Sequence, residues 1–122
     1  MSALVRIGLL ELAFGTLLGW AVAADIAAPD RVRRIGVVSP RRILQAHLDY
    51  IMMGLVLVAV GLAASDLSFW IALMVVAGAL LNPTLFLPVA FRESLAEALA
   101  YRSLSVCSFL AISIGLVAAA FS

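Results

Sequence analysis

Four transmembrane helices packed into one bundle is the architecture the sequence predicts, an all-α membrane domain with little mass outside the bilayer. Three observations carry it. The 122 residues are 66% hydrophobic and 12% charged, with a mean hydropathy of +1.20, which leaves too little polar surface for a soluble domain. Four apolar runs, 7–24, 44–64, 67–89 and 104–121, each approach the roughly 20 residues needed to cross about 30 Å of hydrocarbon. No run alternates as a barrel strand would, and only helices or closed barrels satisfy their backbone in lipid. A single domain over 1–122 follows.

The first run begins near Arg6 and passes through Ala21-Val22-Ala23, a pattern that also fits a cleavable leader. Glu11 interrupts it, so it is read as a spanning helix. Gly8, Gly15 and Gly19 fall on one face of that helix, and Glu11 shares the face. Glu11 has two readings, a carboxylate turned into the bundle or one snorkelling to the outer headgroups.

Ala64-Ser65-Asp66 is a short link, so spans two and three form a tight antiparallel hairpin. Asn82-Pro83 and Pro88 should kink span three or end it early. Residues 92–103 read as helical but charged on one side, giving span four an interfacial start. Cys107, Ala111, Gly115 and Ala119 form its small-residue stripe. Cys107 is the single cysteine, which excludes an internal disulfide and points to a packing role.

All eight basic residues are arginine. Arg31, Arg33, Arg34, Arg41 and Arg42 lie between spans one and two, Arg92 and Arg102 between spans three and four, and Arg6 alone on the other side. The positive-inside rule then places both arginine-bearing loops in the cytoplasm and both termini outside, in a multi-pass bacterial inner-membrane topology.

Candidate chemistry concentrates in 40–54, where the loop after span one runs into span two. His47 is the single histidine, and Gly54 and Gly61 follow at seven-residue steps on its face. Such a stripe leaves a groove in which a flat ring would lie. Imidazole is a common axial ligand of haem iron, and Arg41 and Arg42 are placed to pair with propionates. The bland reading, an interfacial histidine without a ligand, stands beside it. No catalytic triad, phosphate-binding loop or nucleic-acid patch is present in the sequence.

The run Ala46-His47-Leu48-Asp49-Tyr50-Ile51-Met52-Met53-Gly54 resembles the Ala-His-Leu-Glu-x-x-Met-Asn-Gly signature of hydroxylaminobenzene mutase and the equivalent stretch of styrene oxide isomerase. Both are small four-span bacterial membrane proteins. The resemblance implies a trimer with haem b between neighbouring protomers, in which ferric iron acts as a Lewis acid on an epoxide or an arylhydroxylamine is rearranged. It places the metal-ligating histidine on His47. It also places the family's distal asparagine on Met53 and, with a span-three asparagine on Asn82, an aspartate on Gly78 and a tyrosine on Phe86. Tyr50 and Asn82 remain as candidate catalytic groups, and Met53 or Met52 as a thioether ligand. The alternative is a non-enzymatic accessory subunit of a larger membrane complex, a transporter or respiratory assembly. A channel or transporter in its own right is disfavoured, because the spans offer no evident polar pathway.

Overall fold

The computed structural model describes residues 2–64 and 66–122, so the part of the span two–three link carried by Ser65 lies outside the described residues. Among the described residues six helices follow one another: α1 (Ala3–Ala27), α2 (Pro29–Arg34), α3 (Pro40–Ala63), α4 (Phe69–Thr84), α5 (Phe86–Phe91) and α6 (Leu99–Ala120), with a 3-10 turn at Glu93–Glu97 before α6. Four helical segments are long and apolar enough to span a membrane: α1, α3, α4 with α5, and α6. Each extends past its apolar run at one or both ends, because helices continue into the polar zone until a cap or proline stops them. Ser2 caps α1 by accepting from the Val5 amide at 3.2 Å, and Ser68 caps α4 through Ile71. Pro29 and Pro40 occupy the first turns of α2 and α3, where the missing N–H leaves no orphan donor.

Pro83 lies inside α4, and the helix breaks two residues later at Leu85 before resuming as α5, the kink expected from Asn82-Pro83. The connection between spans one and two contains the short helix α2. One expectation needs correction: of residues 92–103 only 99–103 form the opening turn of α6, whereas 93–97 is a 3-10 turn separated from it by extended Ala98.

Helices α1 and α3 pack as one pair and α4 and α6 as another, with α3 against α4 joining them. Leu57, Val75, Ala79 and Ile112 form the core where the pairs meet. The outward-facing residues are large and apolar, among them Leu10, Leu17, Trp20, Leu55, Phe109 and Val117, as lipid requires. The arginine-bearing connections share one end, where the Val38 and Ser39 amides both donate to the Ala90 carbonyl and Val32, Val37, Ile43 and Ala90 are buried together. Gly36 makes the reversal into α3 at φ +104°, a conformation only glycine adopts freely.

On α6 the contact stripe agrees with the sequence at Gly115, which is buried against α4, and is shifted by one residue nearer its start, where Cys107 is exposed and Ser108 and Ile112 are buried.

Candidate functional site

The glycines of α1 and of α3 are complementary halves of one seam. A Cβ on Gly54 would come within 2.8 Å of Leu12 Cγ and 3.0 Å of the Gly8 carbonyl oxygen, and one on Gly61 within 2.7 Å of Val5 Cγ2. The groove read along His47, Gly54 and Gly61 is therefore filled by α1, and no flat ring lies along Gly54. Two glycine stripes facing each other bring the backbones close, which is how membrane helices gain contact where lipid supplies no hydrophobic drive.

His47 stands at one end of this seam. Its ring lies over Gly19, whose added Cβ would be 3.0 Å from Cε1, and Nδ1 is 2.5 Å from the Gly15 carbonyl oxygen. A carbonyl only accepts, so Nδ1 carries the proton and donates, which leaves Nε2 with its lone pair. Among the described residues Nε2 has no hydrogen-bond partner, and it is not among the fully buried atoms left without one. One turn nearer the membrane edge is a recess of about 260 Å³, lined by Val22, Asp25, Arg41, Ile43 and Leu44 among others. Arg41 reaches that recess. Arg42 is turned to the other side of α3, where its guanidinium donates to Gln45 Oε1 at 3.0 Å.

The remaining candidates are not gathered round His47. Tyr50 is buried, edge-on to the Phe14 ring at 4.9 Å, with its hydroxyl 2.6 Å from Thr84 Oγ1. Thr84 donates its own proton to the Leu80 carbonyl, so the phenol is the donor to Thr84 and is committed to α4. Met53 packs against the core formed by Leu57, Val75, Ala79 and Ile112. That lies round α3 from the α1-facing imidazole, so no single iron within one chain takes both His47 and Met53. Met52 is exposed on the opposite face from His47. Asn82 accepts from Ser108 Oγ at 3.1 Å and opens onto a separate groove of about 370 Å³, lined by Gln45, Leu48, Asp49, Met52, Asn82 and Phe86.

The Tyr50–Thr84 bond gives a directional test. Tyr50→Phe leaves Thr84 bonded to Leu80, whereas Thr84→Val strands a buried phenol. Thr84→Val should therefore destabilise the protein by about 1–2 kcal/mol and Tyr50→Phe by clearly less, measured by thermal unfolding in detergent. A larger loss for Tyr50→Phe would refute the assignment of donor and acceptor.

Two features escaped the sequence reading: the Gly15–His47 bond, which joins residues 32 apart, and the Asp49–Asn82 groove. The spacing of Gln45, Asp49 and Met52 at four and seven residues was a signal for the second. Comparison with protein-family profiles, with curated proteins and with solved structures gives no match for this chain.

Proposed function

We propose that the chain is a haem-b-binding membrane protein of the styrene oxide isomerase and hydroxylaminobenzene mutase type, with His47 as axial ligand, whose rearrangement chemistry has degenerated. One observation carries this reading. The imidazole is held by Nδ1–H on the Gly15 carbonyl and leaves Nε2 free on the flank of the bundle, the arrangement that ligating histidines use to fix tautomer and ring orientation. The residues present fit single axial ligation of a haem, and Arg41, in the recess beside His47, is the propionate partner. Bound there, haem would supply a Lewis-acidic and redox-active iron.

What the chain itself does is narrower. It orients one nitrogen and excludes water with an apolar flank. A ligand on that flank needs a second surface to cover it, which favours a homo-oligomer such as the trimer. The loss of rearrangement is supported by the placement of the polar groups: Tyr50 is bound to Thr84, Asn82 faces another groove, and Gly78 leaves no room for a carboxylate, its Cβ position being 2.6 Å from the Ile112 amide nitrogen. A Lewis-acid isomerase needs such groups to hold the oxygen and the developing charge. The arginine-rich end is assigned to the cytoplasm of a bacterial inner membrane.

The absorption spectrum of detergent-purified protein tests this. The wild type is expected to show a Soret band and His47→Ala to lose it while keeping its helical circular dichroism. A colourless wild-type protein purified from haem-replete cells would overturn the reading, and constant co-purification with one large complex would then favour the accessory-subunit alternative.

A further inference from the structure

Asp49 carries a carboxylate to the groove between α3 and the α4–α5 break, well inside the helical span. Among the described residues it has no ion-pair partner within 4.0 Å. The spans offer none at that depth: Arg6, Arg41, Arg42 and Arg102 each fall within the first four residues of their helix, and Arg42 is engaged by Gln45. Glu11, also deep in the bundle, has both carboxylate oxygens buried without a hydrogen bond among the described residues. Among the described residues the interior is thus acidic with no cation at that depth, and a carboxylate in hydrocarbon is costly until a cation or proton meets it.

The rest of the groove narrows the choice of cation. Leu48 and Met52 give an apolar wall and Phe86 an aromatic one, while Gln45 and Asn82 add to the lining carboxamides whose oxygens accept from Arg42 and Ser108 respectively. A volume of about 370 Å³ suits a small organic molecule, and the groove lies on the side of α3 away from His47. We propose that it binds a lipophilic amine in its protonated form, drawn from the bilayer. The ammonium sits on Asp49 and donates to the second lone pair of Asn82 Oδ1, since Gln45 Oε1 already holds the Arg42 guanidinium. The Phe86 face contributes a cation–π contact, and the hydrocarbon part lies along Leu48 and Met52. A second copy of the chain is a poorer occupant, since it has no lysine and brings no arginine from the interior of a span. This site is independent of the haem reading.

Binding of radiolabelled decylamine to the full chain in a non-ionic detergent, with decanol and decanoate as neutral and anionic controls, tests the proposal. Decylamine should saturate at one per chain and bind at least about tenfold tighter than decanol, since charge-assisted hydrogen bonds are the stronger ones. Asp49→Asn, nearly isosteric, should reduce decylamine to the level of decanol. Met52→Trp, which fills the groove and leaves the carboxylate, should weaken both. Equal, unsaturable partition of decylamine into wild type and Asp49→Asn would overturn the proposal. So would decanol binding as tightly as the amine, or an Asp49→Asn change in oligomer mass by light scattering with no amine bound to the wild type, which would assign the groove to a second copy.

Discussion

Gly78→Leu is expected to part α4 from α6 and abolish the folded bundle in detergent. A Cβ at position 78 would lie 2.6 Å from the Ile112 amide nitrogen, 2.8 Å from Ile112 Cβ and 2.9 Å from the Ser108 carbonyl oxygen. Two of these are backbone atoms, which no rotamer change removes. The helices would have to separate, and separation also breaks the Ser108–Asn82 hydrogen bond of 3.1 Å and exposes the core at Val75 and Ile112. In lipid this contact is the main source of helix association, because hydrophobic burial contributes little between spans. Gly78→Ala should cost about 1–3 kcal/mol as an overpacked site, and leucine more. Thermal unfolding followed by circular dichroism measures both. Leu110→Ala, on an exposed face of α6, should leave the transition where it is. A Gly78→Leu protein melting with the wild type would mean that the α4–α6 seam is not packed as described.

The four spans follow from hydropathy, and the break after Asn82-Pro83 from the proline's missing N–H and its clash with the preceding turn. Those are local properties of the chain. His47, Gly54 and Gly61 do share one face of α3, but periodicity says which residues share a face and not what covers it. Gly8, Gly15 and Gly19 formed a second stripe on α1, and the two cover each other. The groove meant for a ring is consumed in helix packing. The imidazole anchor depends on a carbonyl of another helix, which side-chain patterns do not encode. On α6 Gly115 faces α4 as its small size predicts, while Ser108 takes the place expected for Cys107 because its hydroxyl has a partner on α4 and the thiol has none there.

Glu11→Leu is expected to stabilise the protein by about 1–3 kcal/mol, the reverse of the usual effect of a buried substitution. The carboxylate is 3% exposed and lies eight residues into α1, about 12 Å along the axis, so it does not snorkel to the outer headgroups. Both oxygens are buried without a hydrogen bond among the described residues. Leucine has a similar volume and no polar atoms to desolvate, and exchanging buried charge for well-packed hydrocarbon is commonly neutral or favourable. Glu11→Gln, which keeps polar atoms but removes the charge, should fall between the two. Thermal unfolding of the three proteins in one detergent gives the order directly. Destabilisation by Glu11→Leu would show that a bound cation or ordered water satisfies the carboxylate. A stabilised variant would mean that Glu11 weakens the bundle it sits in, which places its role outside the folding of the chain, at the level of what the membrane-embedded acid binds.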